Sequence, residues 1–229
     1  MNAMRPLLNE VDAALFDLDG TLVETNINFP LMKRKMLELA AENGVDTSGL
    51  ALLDVLAVVE GTVNWLASDG RDDEVDALRE RAMVVLEEIE IEHARGGTVI
   101  PYASDMIEQL KSRNVKVGIV TRNCRKASEH SIMIAGIEPD VLICREDAIH
   151  HKPHPDPVLI ALESLDARPQ ASVMVGDHIM DIASGKAAGV KTIGFLRDDR
   201  PPDFFSKIAP DFVARSLREV LGAIINYNR

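Results

Sequence analysis

Cysteine is scarce in this chain of 229 residues, because Cys124 and Cys144 are the only two. Two thiols in a chain of this length do not form a disulfide framework, which excludes the small disulfide-stapled domains. No segment approaches the roughly 18 consecutive apolar residues of a transmembrane helix, and Met1–Val11 lacks the apolar stretch of a signal peptide. These absences predict a protein of the reducing cytoplasm, without a membrane partner.

Basic residues are outnumbered by acidic ones, 25 to 37, which gives a formal net charge of −12. This excess argues against non-specific nucleic-acid binding, which needs clustered Lys and Arg. It does not exclude an anionic ligand, because local cations or a metal can dominate a single pocket. The length and the 46% hydrophobic content suit one large domain with its own core, or a core with a small second domain.

The most informative segment is Ala13–Thr21. It begins as an apolar run, continues with Asp17 and Asp19, and ends in the turn residues Gly20 and Thr21. Alternation along a strand places residues two apart on the same side, and strand ends are where α/β sheets bind ligands. Two acids there are costly to desolvate unless a cation or a catalytic task offsets the cost. The alternative is a solvated aspartate beside a turn-capping one.

Three later segments place further polar residues at strand-to-loop junctions. Each follows an apolar run or lies in a loop that proline keeps out of a helix. The residues are Thr121 with Arg122 and Asn123, Lys152 between His151 and Pro153, and Asp177 with Asp181 four residues on. Independent strand ends would rarely give this set in this order, so the sequence predicts one shared site.

With these residues the chain resembles the haloacid dehalogenase-like (HAD) superfamily. DLDGT, the Thr of VTRN, the Lys of HKPHPD and GDHIMD are similar to its four motifs in order, from about Ala13 to Phe195. Within the superfamily, KPHPDP and GDxxxDIxxGKAAG are most similar to phosphoglycolate-phosphatase-like members of the C1-capped subfamily I.

The resemblance implies roles for the residues of the first motif. Asp17 would be the nucleophile that forms an aspartyl-phosphate, and Asp19 would protonate the leaving oxygen and then activate water. The backbone carbonyl of Asp19 would also face the metal, and Gly20 would let the chain turn beside the phosphate.

The other three motifs would bind phosphate and metal. Thr121 would donate its hydroxyl to phosphate, the backbone of Arg122 and Asn123 at the start of a helix would bind the anion, and Lys152 would neutralise it. Hard carboxylate ligands imply Mg²⁺ as cofactor. Asp17 and Asp177 would bind it directly, whereas Asp181 would orient a metal-bound water or Lys152, or would simply be a first-turn helix acid.

The spacing of the motifs predicts an α/β fold with an insertion. From Thr121 to Lys152 and from Lys152 to Asp177 the spacing suits single β-α-β units of about 30 residues, but from Asp17 to Thr121 it is more than three times as long. Alternating strands and helices predict a Rossmann-like parallel sheet with helices on both faces, over residues 1–23 and 99–229. Residues 24–98 are expected to form an all-helical cap, which resembles the C1 type.

Apolar periodicity and capping residues predict the cap helices. One helix is expected over Leu31–Ala41 and a second from caps at Asp46–Ser48 to about Val59. A short third helix is expected over Thr62–Ser68, and a long fourth over Asp72–His93. The histidines His150, His151, His154 and His178 invite a zinc interpretation, which is set aside because the Pro-bound loop HHKPHP is not expected to make them converge.

The resemblance therefore implies an Mg²⁺-dependent phosphomonoester hydrolase that acts on a small phosphorylated metabolite, as a monomer or homodimer. A phosphomutase of the β-phosphoglucomutase type shares all four motifs and is the alternative. A dehalogenase is disfavoured because it would lack Asp19, and a phospho-receiver domain because it is shorter and uncapped. A catalytically silent binding protein is disfavoured because every catalytic position is filled.

Overall fold

The computed structural model describes residues 10–225, and the N-terminal segment considered above therefore lies largely outside the described part. Two compact units are present, one formed by the chain up to Thr25 and from Gly97 onward, the other by Asn26–Gly96. The predicted boundaries of the insertion, residues 24–98, are two residues wider at each end. None of the helices in the described range is long and apolar enough to cross a membrane.

The first unit contains a six-stranded sheet in which every neighbouring pair is parallel, with the order β5-β4-β1-β6-β7-β8. Its strands are β1 (Ala13–Phe16), β4 (Lys116–Val120), β5 (Val141–Ile143), β6 (Ser172–Gly176), β7 (Lys191–Phe195) and β8 (Phe212–Ala214). Between β1 and β4 in the chain, β2 (Val23–Glu24) and β3 (Thr98–Val99) form a separate antiparallel pair, which the sequence did not predict.

Helices alternate with most of the strands of this unit, although β8 follows β7 without a helix between them. The helices are α4 (Ala103–Lys111), α5 (Arg125–Ala135), α6 (Asp156–Ser164), α7 (Ile179–Ala187) and α8 (Leu217–Ile224), joined in places by short 3₁₀ turns. This order confirms the predicted α/β sheet.

Strand β1 lies in the middle of the sheet and is apolar on both faces. Ala14 and Phe16 pack in one cluster with residues of α4 and α8, whereas Ala13 and Leu15 pack in another with residues of α6. A fully buried side chain such as Phe16 or Leu15 contributes about 1.5–3 kcal/mol. Helices on both faces thus anchor the strand that carries Asp17 at its end.

The second unit consists of three helices, α1 (Phe29–Glu42), α2 (Val55–Ser68) and α3 (Asp72–Ala94). Their apolar faces meet in one core that includes Met36, Leu66 and Leu86. The three acidic residues of the first turn of α3 suit the positive end of its dipole.

One helix of this unit differs from the prediction. The expected second and third helices form a single helix, α2, and Asp54 caps it by accepting hydrogen bonds from the N–H groups of Leu56 and Ala57. The predicted caps lie earlier, where Asp46 accepts instead from Ser48 in a turn. Only a 3₁₀ turn, Leu50–Leu52, follows them. Asp46 and Asp54 could both cap a helix, and the local sequence pattern does not show which of them does.

Candidate active site

Asp17 follows the central strand β1 and is buried. Its backbone N–H donates to the carbonyl of Val175 on β6 at 2.9 Å, so the sheet ladder continues up to the catalytic candidate. Gly20 then turns the chain at φ +84°, a region that glycine adopts without penalty. A Cβ at Gly20 would also lie 2.4 Å from Oδ2 of Asp177, so the close approach of two motifs requires the absence of a side chain.

Lys152 is the centre of the polar contacts. Its Nζ donates to Oδ1 of Asp17 at 2.6 Å, to Oδ1 of Asp181 at 2.6 Å and to the carbonyl of Val120 at 2.7 Å. The side chain is almost fully buried. Burial alone would lower the pKa of Lys152, but the charges of Asp17 and Asp181 outweigh it and raise that pKa above its usual value. A charged lysine therefore joins the first, third and fourth motifs.

Three carboxylates converge beside this lysine. Each of Asp17, Asp177 and Asp181 offers an oxygen that lies within 4.8 Å of the oxygens offered by the other two. Burial raises the pKa of Asp17 to about 7, against the opposing charge of Lys152. Burial and the charge of Asp17 raise that of Asp177 to about 8. One lysine cannot neutralise three carboxylates, so the cluster has the donors and the charge to hold a hard divalent cation.

Asp181 orients its neighbours with both of its oxygens. Oδ1 accepts from Lys152, and Oδ2 accepts from the backbone N–H of His178 at 3.0 Å. His178 caps α7 in return, since its Nδ1 accepts from the N–H of Met180. The two interpretations of Asp181, a helix-start acid and a site residue, are thus compatible. Burial lowers the pKa of His178, which favours the neutral imidazole in this capping role.

Asp19 lies in a different environment from the metal cluster. Its Oδ1 accepts from the backbone N–H of Thr25 at 2.9 Å and from the Thr25 hydroxyl. Burial raises the pKa of Asp19, although the hydrogen bonds from Thr25 oppose the shift. A raised pKa suits a proton donor. Its carboxylate is not one of the three that converge, and the role of its backbone carbonyl toward a metal stays a prediction.

Thr121 directly follows β4 and is buried, and its hydroxyl oxygen accepts from the backbone N–H of Asn123 at 3.2 Å. Helix α5 starts at Arg125, with Cys124 as its cap, so Arg122 and Asn123 precede the helix by two or three residues. They form the connecting loop, because the Cys124 sulfur accepts from the N–H of Ala127.

The side chain of Arg122 reaches toward the fourth motif. Its Nη1 donates to the Met180 sulfur at 2.8 Å, and its carbonyl accepts from Nη1 of the buried Arg145 at 3.2 Å. Arg122 thus lies beside helix α7, while its loop is held by a second arginine that the sequence analysis did not single out.

Arg197 is a further residue that the sequence analysis missed. It follows β7, and its Nη2 lies 2.5 Å from Oε2 of Glu24, while its Nε lies 3.9 Å from Oδ2 of Asp177. Its place just after a parallel strand, at the edge where the other motifs meet, was the available clue. No sequence pattern marked Thr25 as a site residue, because its contact with Asp19 is formed by the turn after β1.

Comparisons with known proteins place the chain in a family. The family model for haloacid dehalogenase-like hydrolases matches residues 14–195. The pyrophosphatase PpaX of Oceanobacillus iheyensis is 29% identical over 214 residues, which cover 90% of this chain and 94% of that protein. PpaX of Bacillus pumilus is 30% identical over 226 residues, which cover 93% and 96%. A haloacid dehalogenase-like hydrolase of known structure from Bacteroides fragilis superposes with a TM-score of 0.67 at 22% identity, covering 92% of this chain and all of that one.

The parallel sheet, with a buried aspartate, a hydroxyl, a lysine and two further acids near its strand ends, together with these comparisons, defines a hydrolase of the phosphatase type. The chain belongs to the haloacid dehalogenase-like hydrolase family.

Proposed function

We propose that this protein is an Mg²⁺-dependent phosphatase that hydrolyses a small phosphorylated metabolite through an aspartyl-phosphate on Asp17. The observation that supports it best is the buried Lys152 bridge between Asp17 and Asp181. The bridge fixes one oxygen of Asp17 and thereby orients the other, Oδ2, for attack on phosphorus. A bound Mg²⁺ would neutralise the phosphate and the carboxylates of Asp17 and Asp177.

The remaining residues supply the proton and the anion contacts. Asp19, oriented by Thr25, protonates the leaving oxygen, and its carboxylate then takes a proton from the water that cleaves the aspartyl-phosphate. Lys152 and the hydroxyl of Thr121 stabilise the transferring phosphoryl group. We assign the selection of the leaving group to the helical insertion, which the chain carries between β2 and β3.

Pyrophosphate is a second candidate substrate, because relatives of this chain that match over nearly their whole length are pyrophosphatases. Phosphate is a better leaving group than an alcohol and needs less help from a general acid. Replacement of Asp19 therefore separates the two substrate classes.

The experiment measures phosphate release from pyrophosphate, phosphoglycolate and a sugar phosphate, with and without Mg²⁺. Asp17→Asn should abolish release with the fold intact, whereas the exposed control Asp105→Asn should keep it. Asp19→Asn should lower the rate with alkyl phosphates by about 10²–10⁴-fold and that with pyrophosphate much less. More than a few percent of activity in Asp17→Asn would contradict the nucleophile assignment. Isomerisation of the sugar phosphate without phosphate release would favour the mutase.

A further inference from the structure

Two histidines and an aspartate converge outside the active site. His150, His154 and Asp156 each offer a ligand atom, and these atoms all lie within 4.8 Å of one another. Nδ1 of His154 lies 3.0 Å from Oδ1 of Asp156, and the two imidazole rings meet edge to face at 4.6 Å. The expectation that the four histidines do not converge is therefore wrong for His150 and His154, whereas His151 and His178 are not part of this cluster. The reason for the convergence is a tight turn, in which the N–H of His154 donates to the carbonyl of His151 at 2.9 Å.

The backbone that presents these side chains is fixed at several points. The hydroxyl of Ser184 on α7 donates to the carbonyl of His154 at 2.7 Å. Lys152, between the two histidines, is anchored in the buried cluster, and Asp156 is the first residue of α6. A site whose ligands are already close together, on a backbone held by neighbouring elements, loses little conformational entropy when an ion binds.

The donor set is chemically unlike that of the carboxylate cluster. Two imidazoles and one carboxylate suit borderline divalent ions such as Zn²⁺, whereas Mg²⁺ and Ca²⁺ prefer oxygen ligands. Both histidines are exposed, so the ion can enter from solvent and water can complete a four-coordinate shell. We propose that His150, His154 and Asp156 form a second metal site, selective for Zn²⁺-type ions and separate from the cluster of Asp17, Asp177 and Asp181.

The test is Zn²⁺ titration of the protein without a histidine tag, by calorimetry, in excess Mg²⁺ to fill the carboxylate cluster. Co²⁺ is used in parallel, because its visible absorption becomes strong when the ion is four-coordinate. His150→Ala and His154→Ala are compared with the control His130→Ala, on α5, and with Asp177→Asn.

The expected result is one Zn²⁺ equivalent in the wild-type protein, in His130→Ala and in Asp177→Asn. Either loop variant should weaken binding at least tenfold and lose the Co²⁺ band, with an unchanged circular dichroism spectrum. Undiminished binding in His150→Ala and His154→Ala would overturn the proposal. So would loss of binding in Asp177→Asn alone, or no Zn²⁺ binding to the wild-type protein, which would leave His154 and Asp156 as a simple polar contact.

Discussion

Lys152 decides the electrostatics of the candidate active site. Lys152 and the two carboxylates at 2.6 Å from it form a buried triad that is costly to desolvate. Such a triad adds little to the stability of the fold, and its main effect is to fix the positions of its side chains. Removing the lysine would leave two buried acids without their cation, so Lys152 is expected to matter for folding as well as for the proposed catalysis.

Thr25 is expected to act as a positioning residue for Asp19. Thr25→Val keeps the shape and the backbone N–H but removes the hydroxyl that donates to Asp19. A hydrogen bond to a charged group contributes about 1.5–3 kcal/mol, so we expect kcat for an alkyl phosphate to fall about tenfold or more. Thr25→Ser should restore it, and p-nitrophenyl phosphate, with its better leaving group, should be less affected. A wild-type kcat in Thr25→Val would show that the hydroxyl of Thr25 does not position Asp19.

Arg197 is expected to weaken the attraction of the carboxylate cluster for cations, because its guanidinium lies near Asp177 and pairs with Glu24. Arg197→Gln should therefore lower the Mg²⁺ concentration for half-maximal activity severalfold and also lower kcat, since Asp177 loses a partner that orients it. The measurement is a Mg²⁺ titration of turnover. The matched control Arg200→Gln, whose arginine packs over Phe204, should change neither value. A higher Mg²⁺ requirement in Arg197→Gln would instead mean that the arginine supports metal binding.

Motif residues and their neighbours differ in how far the sequence could predict them. Asp17 and Asp177 were predictable as neighbours because parallel strands end at one edge of a sheet. The loop residue Lys152 was added to them by the order of the motifs, as the family resemblance implies. The contacts of Thr25 and Arg197 depend on how two loops fold back toward that edge, and no local pattern encodes this. The convergence of His150 with His154 likewise depends on a turn inside a loop.

At the scale of elements, the cap of α2 is open to a direct test. Asp54→Ala removes the acceptor for two N–H groups at the helix start and should cost about 1 kcal/mol of unfolding free energy. Asp46→Ala, at the predicted but unused cap, should have little effect. Urea unfolding followed by circular dichroism measures both variants. Equal losses would mean that the segment before Asp54 contributes to the helix start.

The elements of the sheet were largely predictable, and those of the insertion less so. Buried strands such as β4 and β6 are short apolar runs between clear turn residues, which fixes their ends. In the insertion, Asp46, Thr47, Ser48 and Asp54 are all good cap residues, and only packing of α2 in the three-helix core decides among them. The strands β2 and β3 are two residues long, too short to give any periodicity.

At the scale of the whole molecule, the buried acids make stability depend on pH and metal. In the folded protein the pKa values of Asp17 and Asp177 lie at about 7 and about 8, above the value of 3.8 for a free aspartate. Both groups bind protons more tightly in the folded state, so their contribution to stability is full below that free value and is lost as pH rises through 7 and 8. A bound cation would offset the loss.

We therefore expect Mg²⁺ to raise the Tm more at about pH 8.5 than at about pH 6, because protons compete with the metal at the lower pH. The measurement is the Tm with and without Mg²⁺ at each pH. Because the two Tm values at one pH are subtracted, pH effects of groups that do not bind the metal cancel. Asp177→Asn should remove most of the dependence. An Mg²⁺-induced shift of equal size at both pH values would contradict the proton–metal competition.

The antiparallel pairing of β2 with β3 has a consequence for the modularity of the chain. Glu24 lies opposite Thr98, so the two points at which the polypeptide leaves and re-enters the sheet unit are already neighbours in a ladder. A tight two-residue turn can join such a pair. The three-helix segment is therefore equivalent to a very long hairpin loop between β2 and β3. It could be exchanged for another insertion, or for a short turn, without a change in the path of the strand that precedes Asp17.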